Sequence, residues 1–274
     1  MHMKPWNVLL TLIIGAAPLH ADDPVFVEKK GIVAMEAEST TSNLRRWIKK
    51  TDVKDFSGEC HIEFTGNKAE SGPPDSPLKY AFKINKGGVY QLTIRGHKRL
   101  ETKRQDISND CFVALDGDFD EAGGAPLKIL RTDTKMFGGS ADGWGWTTQL
   151  DVNHKKYPAL YQLKSGETYE LTISGRSKNF NIDRILFVHE DKNLREVQRD
   201  NPDESARESG GITTSRLKPK TFRTLTNAEG REIKAELVSK LDDTLIIRVQ
   251  GKRFEIAISS LSEDDQKFIK DWQP

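Results

Sequence analysis

Between Val25 and about Glu190 the chain breaks into short β-type runs, and this punctuation limits the fold more than any other feature. The runs are "GIVAMEAE", "CHIEF", "KYAFKI", "VYQLTI", "CFVALDG", "TTQLDV", "ALYQL", "YELTISG" and "IDRILFV", with Gly, Asn, Asp and Pro between them. β-Branched and aromatic residues suit a pleated surface, whereas the spacer residues favour turns. No stretch of this region holds a 3.6-residue period long enough for a helix. Many short strands joined by turns build a sandwich or a barrel.

The region also repeats itself. "FKINKGGVYQLTIRG" (82–96) and "YQLKSGETYELTISG" (161–175) align without gaps, matching Tyr90 with Tyr169, Leu92 with Leu171, Ile94 with Ile173 and Gly96 with Gly175. Each reads as a core hairpin whose second strand keeps Tyr, Leu and Ile on one face, as a sheet buried on one side requires. One such hairpin early and one late suit two sheets packed face to face. The expected fold is therefore all-β, a jelly-roll β-sandwich.

The ends of the chain differ in character. Lys4, the apolar run Val8–Ala17 and the segment Pro18–Ala21 before Asp22 match the n-region, h-region and cleavage pattern of a secretory signal. Residues 1–21 are thus expected to be removed on export, an uncleaved anchor being the alternative. The apolar run falls short of the ~20 residues that span a bilayer. Residues 191–220, "DKNLREVQRDNPDESARESGGITTSRLKPK", are charged, rich in Ser, Gly and Pro, and poor in apolar side chains. Such a composition buries too little surface to order itself and reads as a flexible linker. Residues 221–274 then give four β runs joined by the turns "NAEG", "DD" and "QGK", and a final helix. Ser262 stands at its N-cap, Asp264 and Asp265 lie in its first turn, and Phe268, Ile269 and Trp272 form its apolar face. A unit this small has a marginal core, so the helix must close it.

Lys and Arg total 42 against 41 Asp and Glu, a formal charge of +1 without a long basic run. That balance lacks the electrostatic footprint of nucleic-acid binding. The two cysteines, Cys60 and Cys111, each sit in a strand-like run. Export would permit a disulfide between them if those strands are neighbours; otherwise they are two buried thiols.

In "VAMEAES" strand alternation puts Glu36 and Glu38 on one face, roughly 6 to 7 Å apart, two strand rises. Like charges so close repel unless a cation stands beside them, and calcium accepts carboxylates readily. A solvated strand face is the plainer reading. The loop "GGSADGWGWTTQLD" (138–151) poses a second question, because Trp144 and Trp146 are large apolar groups among turn residues. Both are expected to point the same way from the entering strand. Catalytic signatures are missing from the sequence: the histidines lack zinc-ligand spacing, and neither a nucleophile elbow nor a phosphate-cradling loop occurs. Glu36 and Glu38 lie side by side, whereas glycoside hydrolysis needs two carboxylates facing across a sugar.

"GIVAMEAE" at the start of this region and "GRSKNFNIDRILFV" at its end resemble the opening and closing strands of carbohydrate-binding modules of families six and thirty-five. "NDCFVALDG" and "GGSADGWGWTTQLD" look like their central strands and Trp loop, so the resemblance covers about residues 25–190. It implies a structural calcium ion held by Glu36, Glu38 and Asp183. It also implies a sugar site in loops at one end of the sandwich, where an indole stacks on a pyranose face. Trp144 and Trp146 are then the stacking candidates, one on sugar while the other roofs the core. Asn179 or Asn181 would supply the polar contact, and Asn109 with Asp110 marks another candidate loop. The charged stretch "HKRLETKRQDISND" departs from the typical pattern of the family.

Residues 223–272, above all "LSEDDQKFIKDW", resemble the SLA-one homology domain, an SH3-like barrel. That resemblance implies recognition of a peptide or protein. Together these readings describe an exported, non-catalytic two-domain protein. Its sandwich (22–190) binds an oligo- or polysaccharide, and a linker (191–220) leads to a small barrel (221–274) that binds protein. The competing expectations are an adaptor whose sandwich is only a scaffold and, less favoured, an accessory polysaccharide-degrading enzyme.

Overall fold

The computed structural model describes residues 24–208, 221–241, 243–249 and 252–272. The expected secretory segment and its cleavage point lie outside the described residues. The first part of the chain forms β1 (Val25–Val27), β2 (Ile32–Glu36), β3 (Trp47–Lys50), β4 (His61–Phe64), β5 (Asp75–Lys83) and β6 (Gly88–Lys98). Next come β7 (Asp110–Asp116), β8 (Asp120–Glu121), helix α1 (Leu127–Arg131), β9 (Thr134–Phe137) and β10 (Gly145–Thr147). The region continues with β11 (Gln149–Val152), β12 (Lys155–Pro158), β13 (Leu160–Leu163), β14 (Thr168–Gly175) and β15 (Phe180–His189). Helix α2 (Leu194–Asp200) and β16 (Arg207–Glu208) follow. The C-terminal unit contains β17 (Thr221–Thr226), β18 (Glu232–Leu241), β19 (Thr244–Val249), β20 (Lys252–Ala257) and helix α3 (Glu263–Asp271).

The fold is all-β, and its larger part is a sandwich. One sheet runs β12-β11-β9-β7-β14-β5-β1-β16; the other runs β3-β4-β15-β6-β13-β8, with β2 on β15 and β10 on β6. Alternate residues of both sheets meet in one core that includes Phe82, Tyr90, Leu92, Tyr161, Tyr169 and Phe187. Phe82 and Phe187 stack at 4.4 Å across it. Two buried tyrosines satisfy their hydroxyls at its margins, Tyr80 donating to Ala37 O at 2.6 Å and Tyr90 to Lys86 O at 2.7 Å, whereas the Tyr161 hydroxyl has no partner.

The two echoing segments are not hairpins. β5 lies in one sheet and β6 in the other, and likewise β14 and β13. Each segment is a corner that carries the chain between sheets. The two corners pair with each other, Tyr90 opposite Tyr161 and Phe82 opposite Tyr169. Period-two alternation requires a buried face, and a corner meets that requirement as well as a hairpin does.

The segment read as a linker is in part folded. Residues 194–200 form α2, capped by Asn193, whose Oδ1 accepts from Arg195 N at 3.1 Å and Glu196 N at 3.4 Å. Leu194 and Val197 place its apolar face on Ile32, Ala34, Leu186 and Val188. Beyond it the chain returns along the sheet. Ser205 Oγ accepts from Ala34 N at 3.0 Å, and β16 pairs with β1. Two well-placed apolar residues and one cap are enough to order a segment that has a sheet to lie on. This cover explains why all ten residues of β15 are buried. Residues 209–220, the rest of that segment, lie outside the described residues.

In the C-terminal unit the strands pair in the order β17-β18-β19-β20. Leu225, Ala235, Leu237, Leu245, Ile247 and Leu261 enclose Ile269 of α3. Ser262 caps that helix as expected, its Oγ accepting from Asp265 N at 3.3 Å.

Candidate functional site

Four loops meet at one end of the sandwich: 65–74, 99–109, 138–144 and 176–179. Their backbones are tied together by Asn179 N to Phe64 O (2.7 Å), Lys178 N to Lys68 O (3.0 Å), Ser108 N to Ala69 O (2.8 Å) and Gly138 N to Asn109 O (2.8 Å). Lys98 N donates to Ser140 O at 2.7 Å and Arg99 N to Asn179 O at 3.1 Å. The glycines of the Trp loop are explained by this packing. A Cβ at Gly139 would come 3.0 Å from Gly96 O, and one at Gly145 2.8 Å from Ser140 N. Only bare backbone fits against β6 there.

Of the five candidate ligand residues this end holds Asn109 and Trp144 half-buried and Asn179 buried. Asn109 is half-buried beside the Trp loop. Asn179 adopts a left-handed φ of 67°, a conformation that asparagine tolerates, and its amide donates to Glu101 Oε1 at 2.9 Å. That bond, with Lys178 nearby, holds the exposed Glu101 carboxyl below its ordinary pKa. Asn181 is fully buried instead, donating to Asn179 O at 3.0 Å, while its Oδ1 has no hydrogen-bond partner. It supports the loop from beneath. Asp110, at the start of β7, is held by Arg176 and Ser177.

The two tryptophans part company. Trp144 is half-buried, and its indole N–H donates to Lys54 O at 2.8 Å. His61 and His97 meet its ring edge-on, at 5.2 and 5.9 Å, and the Arg95 guanidinium lies 5.4 Å from its centroid. His97 donates from Nδ1 to Gly143 O at 2.8 Å, fixing the residue just before the indole. Trp146 joins the apolar cluster under α2, where it seals the helix to the sheet. Sequence reasoning missed His61, His97 and Arg95, because isolated histidines and arginines in strands carry no spacing signal. His61 is buried, which lowers its pKa against the opposing pull of Asp52.

Of the three carboxylates expected to hold calcium, Glu36 and Asp183 are joined through Ser57, and Glu38 lies near enough to act on Glu36 electrostatically. β2 ends at Glu36 and the chain turns into a 3-10 segment at Ala37–Ser39, so Glu38 does not share a strand face with Glu36. Ser57 connects Glu36 and Asp183: its N–H donates to Asp183 Oδ1 at 2.8 Å, and its Oγ lies 2.9 Å from Glu36 Oε2 and 3.0 Å from Asp183 Oδ2. Arg184 pairs with Glu36, and Arg95 with Asp183 at 2.6 Å. Glu38 Oε1 accepts from Glu59 N at 2.9 Å and Cys60 N at 3.2 Å, whereas its buried Oε2 has no partner. Burial pushes Glu36 up to about 7 and raises Glu38. Among the described residues no group of three or more His, Cys, Asp or Glu is drawn together around one point. The donors are hard oxygens of the type calcium takes, and the orphaned Glu38 oxygen is the atom such an ion would satisfy. Cys60 and Cys111 are free, buried thiols, not a disulfide.

No protein-family model matches the chain, and no curated protein matches it. Among solved structures it is similar to a GH26-CBM35 β-(1,4)-mannanase from Podospora anserina, at 14% identity and a TM-score of 0.38 over 58% of this chain. The matched part is 28% of the mannanase's length. A family 35 carbohydrate-binding module from Clostridium thermocellum matches at 12% identity and a TM-score of 0.36, covering 58% of this chain and 98% of the module. The C-terminal CBM6 of a marine laminarinase from Zobellia galactanivorans matches at 17% identity and a TM-score of 0.31, covering 57% and 98%. Among the described residues no helix is long and apolar enough to cross a membrane.

Proposed function

We propose that the sandwich is a non-catalytic glycan-binding domain of an exported protein, with its site at the loop end around Trp144. The observation that carries this reading is a half-buried indole on a loop whose backbone is tied to the loops that carry Asn109 and Asn179. An indole face covers a pyranose ring, and amides orient its hydroxyls. Fixing the indole by His61, His97 and Lys54 lowers the ordering cost of binding, which matters for a shallow site. Structural calcium at Glu36, Glu38 and Asp183 belongs to the same reading, supported by the unpartnered Glu38 oxygen. Its role would be to pin the end of β2 to β15. For the C-terminal unit, four strands closed by a capped helix support an SH3-like, protein-binding module.

Affinity electrophoresis of the protein through gels containing a panel of neutral and acidic polysaccharides tests the glycan reading. Retardation by at least one polysaccharide, lost in Trp144→Ala, is the expected result. A second reading, in which the sandwich is only a scaffold, has its own observation: the Trp144 N–H is bonded to Lys54 O, and its ring already meets His61, His97 and Arg95. Unretarded migration on every gel would favour it.

A further inference from the structure

β19 is buried on both sides. Leu245 and Ile247 face the core of the C-terminal unit, yet Ile246 between them is also fully buried. Its cross-strand neighbour Ser239 is only 3% exposed. A four-stranded sheet closed by one helix covers a single face, and α3 lies on the other one, where Lys240 Nζ donates to Ile269 O at 2.8 Å. Something else must cover Ile246 and Ser239.

The ion pairs identify the cover. Arg248, on the same face of β19 as Ile246, donates through Nη1 to both oxygens of Glu236 at 3.0–3.1 Å and through Nη2 to Asp116 Oδ2 at 2.5 Å. Asp116 ends β7 of the sandwich, opposite Glu170 of β14. Glu255, cross-strand from Ile246, pairs with Lys128 of α1. Burial opposes the charge of Arg248, but Asp116 and Glu236 outweigh it and hold the guanidinium firmly protonated. The Arg248 side chain is 15% exposed and Asp116 24%. A charge-assisted bond this sheltered is geometrically demanding and fixes one docking orientation.

We infer that the partner of the C-terminal unit is this chain's own sandwich, docked through Ile246 and Ser239 and clamped by Arg248 on Asp116. The outer face of β18 and β19 is therefore closed in the resting protein. An external protein with an acidic side chain reaches that face only by displacing Asp116.

Thiol accessibility in the full-length chain tests this. Ser239→Cys places a reporter on the docked face, and the buried Cys60 and Cys111 serve as internal controls for folding of the sandwich. The introduced thiol is expected to react with Ellman's reagent at least 10-fold more slowly than in the unfolded chain. Adding Asp116→Arg should raise that rate about 10-fold with a single thiol titrated, and Asp116→Arg with Arg248→Asp should restore protection. If Asp116→Arg exposes all three thiols, the fold has been lost, and Asp116→Asn takes its place with a smaller, salt-dependent rise expected. Fast reaction in the otherwise unaltered chain would overturn the docking. Unchanged protection in folded Asp116→Arg, or in Asp116→Asn where that variant replaces it, would overturn the clamp.

Discussion

Trp146→Ala should destabilise the sandwich and leave ligand binding alone. The indole packs against the cluster of Ala34, Leu186, Val188 and Val197, so it is the piece that joins β10 to α2. A fully buried aromatic side chain hides about 150–250 Å². Truncating this half-buried one removes roughly 100 Å², which at ~25 cal/mol per Å² amounts to about 2.5 kcal/mol. The gap opens partly to solvent, so little is added for an empty cavity. In a folded unit of this size each kcal/mol moves Tm by ~2–4 °C, and the expected fall is about 5–10 °C. Calorimetry gives the fall, and hydrogen exchange at Val197 N, bonded to Asn193 O at 3.1 Å, reports whether α2 loosens. A Tm within ~1 °C of the parent, with α2 protection intact, would refute the assignment of Trp146 to packing.

Other expectations follow from single contacts. Asn193→Ala removes the only described side-chain cap of α2 and should cost about 1 kcal/mol, with exchange rising first in α2. His61 is buried and its pKa is lowered, so the unfolded chain binds its proton first. The His61 contribution to stability should therefore be full above pH ~6.5 and decline as pH falls towards the folded-state pKa, opposite in sign to that of the raised Glu36, and His61→Phe should remove it from melting curves in that window. The depressed carboxylates Asp52 and Asp265 act only below their ordinary pKa values, at lower pH. For the carboxylate corner, EDTA should lower Tm by several degrees and added calcium restore it. Insensitivity to both would mean that Arg184 and Arg95 supply all the counter-charge Glu36 and Asp183 need.

Much of the fold is legible because turn residues and period-two alternation are local signals. The strands of the sandwich, the four strands of the C-terminal unit and the Ser262 cap all come from such signals. Pairing partners do not. The same Tyr, Leu and Ile alternation at 90–94 and 169–173 serves a hairpin or a corner, and only tertiary contact decides between them. The helix at 194–200 was hidden by its charges, although Asn193 followed by Leu194 and Val197 is a readable cap and stripe. At the candidate site, Trp144 stands out as an indole among turn residues, whereas Asn109 and Asn179 enter only through the family resemblance. The histidines that grip the indole could not, since His61 and His97 come from strands distant in sequence.

Trp144 is the residue on which glycan binding should depend, and the most direct test is a fluorescence titration of the unmodified chain and Trp144→Ala with the polysaccharide that retards the protein. Saturable binding that Trp144→Ala weakens at least 10-fold, while its melting temperature stays within a few degrees of the parent, is the predicted result. Equal affinity in the two proteins would place the glycan elsewhere and contradict the assignment of this loop end as the binding site.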